Sequence, residues 1–427
     1  MFEGHLLDAA TKGFPSVLAP LRVPNVADRG WNLLREDVPL PCAVLKETAL
    51  TANIARMNAL LLQFGLKLCP HGKTTMSPQL IRRQLEAGAW GMTAATATHV
   101  FAYRQMGVSR VLLANQLIGR QAIRTVCELL NEDAEFELYC LVDSVALVEH
   151  LTRWVPQYLR ARRRLQVLLE MGMVNGRTGA RSLADAMQVA HAIVKQSKWL
   201  ELAGVECYEG VVPGEPGEAG EDRVREMFKV MTDVTMTCEQ TSLLSHEKVL
   251  LSAGGSAYVD LAAEALTAIP IERAVRVLRS GCYLTHDDGW LCRHQMRAGE
   301  RTASMARLPA PQSAIEIWAY VQSIAEPGRL IATMGKRDVG YDIELPVPRF
   351  WLRPDVHTAP QPIGADCRVT GLNDQHAYLS VPESSPIQVG DMVGFGISHP
   401  CTTLDKWRIL YVVDDGYTIT EAVTTAF

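Results

Sequence analysis

A lysine and a histidine follow the apolar run 66–70, in the segment Cys-Pro-His-Gly-Lys at positions 69–73. An amine beside the apolar end of a strand is partly desolvated, which lowers its pKa and makes it a Schiff-base nucleophile. Lys73, with His71 two positions before it, is therefore a candidate nucleophile. The competing interpretation is a surface lysine in a loop, which the local sequence by itself favours.

The segment His-Pro-Cys at positions 399–401 could bind a metal ion. In extended chain, alternate side chains share a face, and Pro400 restricts the backbone between them, so His399 and Cys401 could present imidazole and thiolate to one ion. Nitrogen and sulfur donors suit Zn²⁺, and two protein ligands leave coordination positions for substrate or water. The competing interpretation is chance, because so short a motif is common.

Glycine-containing segments at two other apolar runs could bind an anion. Ser-Ala-Gly-Gly-Ser at 252–256 ends the run 249–254, and Ser-Gly-Cys-Tyr at 280–283 interrupts the run 275–284. Glycines let backbone N–H groups approach an anion, and the dipole of a following helix adds to the attraction. We interpret both segments as parts of a phosphate site, with simple turn formation as the alternative.

Two further side chains could contact a ligand. Arg177, in the glycine-rich segment 170–179, could hold an acidic or heteroaromatic group, or only bind carbonyl oxygens of its loop. Tyr208 ends the apolar run 202–208 and could stack on a ligand, or simply pack at the rim. The acidic, glycine- and proline-rich segment 211–220 then predicts an exposed loop.

Apart from His399 and Cys401, the candidate residues lie in or directly after members of a series of eight apolar runs that alternate with segments of helical pattern. Continuous runs such as 165–169 are typical of parallel strands that are buried on both faces. The series predicts an α/β fold with a (β/α)8 TIM-type barrel, whose catalytic groups lie at C-terminal strand ends and whose last two loops bind phosphate. The runs are 66–70, 91–96, 110–116, 136–144, 165–171, 202–208, 249–254 and 275–284.

The rest of the chain predicts a second, smaller domain. After about residue 290, proline-rich joints separate short β-type runs, as in compact all-β domains. We therefore divide the 427 residues into an N-terminal extension at 1–40 that partly packs on the β domain, a barrel at 41–290 and a C-terminal all-β domain at 291–427.

Composition excludes several classes of protein. A hydrophobic content of 48% excludes intrinsic disorder, and a net charge of −5 favours neither a nucleic-acid nor a membrane partner. Ten scattered cysteines without a C-x-x-C pair predict reduced, mostly buried thiols in a cytoplasmic protein. The sequence shows no signal-peptide pattern and no apolar run of about 18 residues that could span a bilayer.

In their order along the chain, these motifs resemble those of fold-type III pyridoxal-phosphate enzymes of the alanine-racemase-like class, and within it the D-serine dehydratase and D-threonine aldolase family. The similarity runs from about Leu40 to the C-terminus. It implies that pyridoxal 5'-phosphate forms a Schiff base with Lys73, with Arg177 and Tyr208 around the cofactor ring. It also implies a phosphate cradle of five residues: Gly254, Gly255, Ser256, Gly281 and Tyr283.

The same resemblance implies that His399 and Cys401 hold Zn²⁺, as the matching pair does in D-serine dehydratases, whereas the aldolase relatives usually carry aspartate at the second position. The implied activity eliminates the β-hydroxyl of D-serine, or of a related β-hydroxy D-amino acid, to give a 2-oxo acid and ammonia. Alternatives are a retro-aldol lyase that forms glycine and an aldehyde, a racemase that would leave the metal pair without a role, and a non-catalytic pyridoxal-phosphate carrier.

The resemblance implies a homodimer with the active site at the subunit interface. The sequence departs from the family pattern after Tyr208, where Glu209-Gly210-Val211 lacks the Gly-His that many relatives show. The resemblance therefore does not define substrate selection near the loop 211–220.

Overall fold

The computed structural model describes residues 6–160, 162–212, 216–244 and 246–427, and its chain starts with short elements ahead of the barrel. The strands and helices that precede the first barrel strand are β1 (Leu6–Leu7), β2 (Leu21–Arg22), two 3-10 helices (Val23–Arg29 and Leu33–Arg35), β3 (Cys42–Lys46) and helix α1 (Glu47–Phe64).

Eight parallel strands form the barrel, in the order β4-β11-β10-β9-β8-β7-β6-β5. A parallel bridge between His71 and Thr93 closes it. Each predicted apolar run overlaps one strand, which confirms the (β/α)8 barrel. The strands are β4 (Lys67–Leu68), β5 (Met92–Ala94), β6 (Arg110–Gln116), β7 (Glu137–Val142), β8 (Leu165–Met171), β9 (Leu200–Cys207), β10 (Val249–Ala253) and β11 (Ala274–Leu278).

Helices follow the strands and pack on one another in ring order, from α3 with α4 to α7 with α8. Several begin at a serine or threonine whose hydroxyl accepts an N–H of the first turn, as Ser77 does from Leu80. The helices after α1 are α2 (Pro78–Glu86), α3 (Ala97–Gln105), α4 (Arg120–Glu132), α5 (Val145–Tyr158), α6 (Leu183–Lys195), α7 (Glu218–Gln240), α8 (Val259–Ala268), α9 (Trp290–Arg301) and α10 (Ala303–Ala306).

The C-terminal domain is all-β apart from one short helix, as predicted, and its own strands pair antiparallel. Its elements are β12 (Ile315–Glu326), β13 (Arg329–Ala332), β14 (Val347–Leu352), β15 (Gln361–Pro362), β16 (Arg368–Leu372), β17 (Ala377–Ser380), β18 (Met392–Gly396), helix α11 (Pro400–Leu404), β19 (Ile409–Val413) and β20 (Ile419–Thr424).

The two domains exchange segments of chain near the predicted boundaries. β3, which the division at residue 41 assigns to the barrel, pairs with β12 and β19 of the β domain. In return α9, which lies beyond residue 290, binds the barrel, because Arg301 forms an ion pair of 2.6 Å with Asp260 of α8. In the N-terminal extension, Phe14 and Leu33 are buried in one cluster with Trp318 of the β domain.

The inner face of the barrel changes from apolar to polar along the strands. Leu168 and Leu250 belong to an apolar cluster inside the barrel. Two residues further along each strand, on the same face, lie Glu170 and Ser252. The polar side is therefore the C-terminal end of the strands, where barrel enzymes hold their catalytic groups. No helix in the described part of the chain is long and apolar enough to cross a membrane.

Candidate active site

A cavity of about 160 Å³ lies at the C-terminal end of the barrel strands, between the barrel and the β domain of the same chain. The barrel supplies one wall and the loop that leads into α11 supplies the other. Seven of the ten residues predicted for the site line this cavity: Lys73, Tyr208, Gly255, Ser256, Gly281, His399 and Cys401.

Lys73 lies in a 3-10 helix (Gly72–Thr74) that directly follows β4. Its side chain is exposed, so the structure does not show the desolvation that we expected for its amine. Its neighbour His71 is half-buried with a buried Nδ1, and burial together with the charges of Lys73 and Arg279 lowers the pKa of His71 well below its usual value. The imidazole is therefore neutral, and its Nδ1 has no hydrogen-bond partner among the described residues.

The predicted glycine cradle is partly occupied by a carboxylate of the protein. The buried Glu209 accepts hydrogen bonds from the N–H groups of Gly254 (3.1 Å) and Gly255 (2.6 Å). Gly254 has a φ of +98°, which explains the glycine, but it does not line the cavity. The hydroxyls of Ser256 and Ser280 belong to the two glycine-containing segments, and their Oγ atoms lie 3.0 Å apart. These hydroxyls could donate hydrogen bonds to an anion.

The eighth strand ends at Leu278, earlier than the predicted run 275–284, so Gly281 lies in the following loop. A Cβ at Gly281 would lie 2.5 Å from Oγ1 of Thr74 and 2.7 Å from Cβ of His71, which makes glycine necessary for this close approach. Tyr283 does not line the main cavity but a smaller one beside it, of about 20 Å³.

Arg177 and Tyr208 lie close together, with the guanidinium 5.4 Å from the centre of the tyrosine ring. Arg177 is exposed and does not line the cavity, whereas Tyr208 does. Burial raises the pKa of Tyr208 to about 12, so its hydroxyl stays protonated at neutral pH. The predicted loop 211–220 is only partly loop, because α7 begins at Glu218, and its residues 213–215 lie outside the described part.

A buried ion pair at the floor of the cavity was not predicted from the sequence. Arg279 follows β11 directly, and its guanidinium binds the carboxylate of Glu206 and, at 2.7 Å, the carbonyl oxygen of Cys207. Burial raises the pKa of Glu206 to about 8, while the charge of Arg279 acts in the opposite direction. The permanently charged guanidinium in direct contact favours the ionised form of Glu206, which makes the contact an ion pair. The sequence contained one indication of this pair, because Glu206 and Arg279 are charged residues inside the apolar runs 202–208 and 275–284.

His399 and Cys401 lie together at the opposite wall. Nδ1 of His399 lies 2.7 Å from Oδ2 of Asp342, an arrangement that leaves Nε2 available to a metal ion. The backbone is not extended throughout, as we expected from the sequence, because Pro400 begins helix α11. Proline at the first helical position lacks only an N–H that needs no partner there.

Interactions within this wall favour a thiolate at Cys401. The Cys282 thiol, with Sγ 3.8 Å from Sγ of Cys401, contributes most to a pKa of Cys401 well below the usual range; burial opposes it, and His399 and Thr74 add to it. Burial lowers the pKa of His399, but Cys401 and Asp342 outweigh this and raise it to about 9. The sequence reasoning missed Cys282, which looked like one of the scattered thiols.

The residues present fit both groups that the resemblance implies. An aldehyde that carries a phosphate would find a primary amine to bind its carbonyl carbon and two hydroxyls to bind its phosphate. A neutral imidazole with an unpaired Nδ1 lies beside the amine. One imidazole nitrogen and one thiolate suit zinc. Across the described ranges, no three or more His, Cys, Asp or Glu side chains are gathered to hold an ion, so further ligands would come from water or substrate.

The chain matches a known family over part of its length and a characterised protein over nearly all of it. Residues 314–413 match the family described as a putative serine dehydratase domain. A D-threonine aldolase of Arthrobacter sp is 22% identical over 404 residues, which are 94% of this chain and 95% of the aldolase. The family match includes the segment that carries His399 and Cys401, and the match to the aldolase covers nearly the whole chain.

Solved structures with this fold include two lyases. D-threonine aldolase from Filomicrobium marinum has a TM-score of 0.76 at 20% identity, covering 95% of this chain and 98% of its own. D-threo-3-hydroxyaspartate dehydratase from Delftia sp. HT23 has a TM-score of 0.71 at 18% identity, covering 92% and 99%. Alanine racemase of Clostridium difficile 630 has a TM-score of 0.58 at 13% identity, covering 91% and 99%. The chain thus shares the alanine-racemase-like fold of these structures, and residues 314–413 match the model of a putative serine dehydratase domain.

Proposed function

We propose that the protein is a pyridoxal-phosphate- and zinc-dependent lyase that eliminates the β-hydroxyl of D-serine or a related β-hydroxy D-amino acid. The products would be a 2-oxo acid and ammonia, and D-serine would give pyruvate. The observation that carries the proposal is the shared cavity, in which Lys73 lies on the barrel side and His399 and Cys401 lie on the β-domain side.

In this proposal the cofactor, when bound, supplies an electron sink for the carbon that loses its proton. The chain supplies the groups around it. The Lys73 amine would bind the cofactor aldehyde and, when free, accept the Cα proton of the substrate. The neutral His71 and the buried Arg279 would give that amine a surrounding of fixed hydrogen-bonding groups instead of bulk water.

His399 and Cys401 would hold the zinc ion, which acts as a Lewis acid on the β-hydroxyl of the substrate. The thiolate character of Cys401 supports this role, because deprotonated sulfur is the form that binds metal. Among the structural relatives, a Cys-to-Ala variant of D-threo-3-hydroxyaspartate dehydratase is in a metal-free form.

A retro-aldol lyase is the second candidate, favoured by the near full-length similarity to a D-threonine aldolase. In that reaction the bond between Cα and Cβ breaks and the β-hydroxyl loses its proton. D-threonine separates the two activities: the dehydratase would form 2-oxobutanoate and ammonia, whereas glycine and acetaldehyde without 2-oxobutanoate would contradict the dehydratase assignment. The cysteine at position 401 supports the dehydratase.

The central test is spectroscopic. Purified protein supplied with pyridoxal phosphate should show an absorbance band near the visible range that is lost in Lys73→Ala, since Lys73 is the lysine amine that lines the cavity. Cys401→Ala should keep the band but lose β-elimination. Wild-type protein without the band would contradict the cofactor assignment, and a Cys401→Ala variant with full turnover would contradict the metal role.

We also propose a homodimer in the cytoplasm. Ten free thiols, six of them buried, support a reducing compartment. Sedimentation of the active protein as a monomer would contradict the dimer. Because Lys73, His399 and Cys401 of one chain line one cavity, these three groups do not require a second subunit.

A further inference from the structure

Arg56 is a half-buried cation beside the predicted phosphate site, and its Nε atom is fully buried. It lies in α1, and its side chain lines the small cavity of about 20 Å³. Ser256, Ser280 and Tyr283 line the same cavity. Sequence analysis did not select Arg56, because one arginine in an amphipathic helix gives no sign of what it faces.

The guanidinium of Arg56 lacks a partner of opposite charge. Its Nη2 donates a hydrogen bond of 3.2 Å to the amide oxygen of Gln295, and its Nε is buried without a partner. In the part of the chain that the structure describes, no carboxylate forms an ion pair with it. Because the buried Nε has an N–H without an acceptor, an anion that reached it would gain a charge-assisted hydrogen bond.

The location of Arg56 indicates that this anion is one end of a larger ligand that also occupies the main cavity. The small cavity adjoins the main one, because Ser256 and Leu291 line both. A ligand whose carbonyl carbon reaches Lys73 in the main cavity and whose anionic end reaches Ser256 would therefore point that end towards Arg56. A cavity of about 20 Å³ has room for roughly one water, which is the size of one phosphate oxygen.

The occupied glycine cradle leaves fewer backbone donors for an anion at this point. The N–H groups of Gly254 and Gly255 already bind the carboxyl group of Glu209, beside the hydroxyls of Ser256 and Ser280. Hydroxyl groups carry no charge that could offset the charge of a phosphate dianion. The guanidinium offers both charge and a free N–H for a charge-assisted hydrogen bond.

We propose that Arg56 is the counter-charge for the phosphate group of the cofactor, which it contacts from α1 through the small cavity. The inference rests on the proposed function, because it takes the ligand at Lys73 to be pyridoxal phosphate. Gln295 holds the arrangement together, since it accepts from Arg56 and donates to the carbonyl oxygen of Ser256 at 2.7 Å.

The test compares two ligands that differ only in the phosphate. Cofactor-free wild type, Arg56→Gln and Arg56→Lys are titrated with pyridoxal phosphate and with pyridoxal, and the Lys73-dependent absorbance band gives each affinity. Arg56→Gln should bind pyridoxal phosphate about 10- to 100-fold more weakly but pyridoxal within twofold of wild type. Arg56→Lys should recover part of the affinity. Arg153→Gln, an exposed arginine of α5, serves as the control and should match wild type.

The outcomes separate this inference from the proposed function. Equal losses for both ligands would assign Arg56 a purely structural role and overturn the inference, as would unchanged affinity for pyridoxal phosphate in Arg56→Gln. Wild-type protein that forms no Lys73-dependent band with either ligand would instead overturn the proposed function. A loss confined to the phosphorylated ligand would support both.

Discussion

Asp342 controls which nitrogen of His399 faces the cavity. Its carboxylate binds Nδ1 of His399 and accepts a hydrogen bond of 2.7 Å from the hydroxyl of Thr402. A histidine held in this way has a fixed tautomer and orientation, and removal of such a partner typically costs 10- to 100-fold in metal affinity.

We therefore expect Asp342→Asn to weaken zinc binding about 10- to 100-fold, measured by competition with a coloured chelator. Asp405→Asn is the matched control, because Asp405 directly follows α11 but binds Lys406 instead of the histidine. Equal zinc affinity in the two variants would contradict the role of Asp342.

His286 gives a pH dependence whose sign follows from its burial. Burial, with a smaller contribution from Arg56, lowers the pKa of His286 to about 3. The unfolded chain binds a proton at this histidine below a pH of about 6.5, whereas the folded protein does so only near pH 3. The stability associated with the neutral ring is therefore complete above the unfolded pKa and decreases as the pH falls from about 6.5 towards 3.

His286 should by itself lower the free energy of unfolding by about 2 kcal/mol between pH 7 and pH 5. Urea unfolding at both pH values measures this change. In His286→Asn the difference between the two pH values should shrink by that amount. Asparagine is chosen because His286 has a φ of +53°, which asparagine tolerates. An undiminished difference in the variant would contradict the assignment.

At the scale of elements, the approach of the loop after β11 to the Lys73 segment depends on Gly281. A methyl group there would collide with Thr74 and His71, which flank Lys73. We expect Gly281→Ala to slow turnover by the loaded protein about 100-fold, since a misplacement of about 1 Å in the reacting groups can cost that much in rate. Gly299→Ala in α9 is the control, because no atom lies within 4 Å of its Cβ, and it should stabilise the protein by about 1 kcal/mol.

The elements were predictable to the extent that they repeat a local pattern. All eight barrel strands coincide with apolar runs, since parallel strands buried on both faces read as continuous hydrophobic sequence. β3 could not be assigned by pattern, because its pairing with β12 is a contact over about 270 residues. The predicted eighth strand extended beyond Leu278, where β11 ends. Apolar residues such as Tyr283 and Leu284 follow in a loop that is buried like the strand.

The candidate site was predictable where several short motifs occur together in the order of a known family. Lys73, His399 and Cys401 belong to such motifs, and the structure brings them to one cavity. Glu209 and Arg56 carry no motif. Their importance depends on which backbone N–H groups or hydroxyls face them, and the order of residues alone does not contain that information.

At the scale of the whole molecule, each chain holds a complete set of the candidate groups. We expect a hybrid dimer of one Lys73→Ala and one Cys401→Ala subunit, produced by co-expression with two different tags, to be inactive. If the β domain of one subunit instead completed the barrel site of the other, one intact site would form and about half of the wild-type activity would return. Homodimers of each variant are the controls.

The cavity between barrel and β domain also has a thermodynamic consequence. Lys73 and the residues around Ser256 belong to the barrel, and His399 and Cys401 belong to the β domain. A small molecule bound to both walls is lost when either domain unfolds, so its binding energy would couple the unfolding of the two domains. Calorimetry of the cofactor- and metal-free chain should show broad or separate transitions that merge into one sharp transition when both ligands are present.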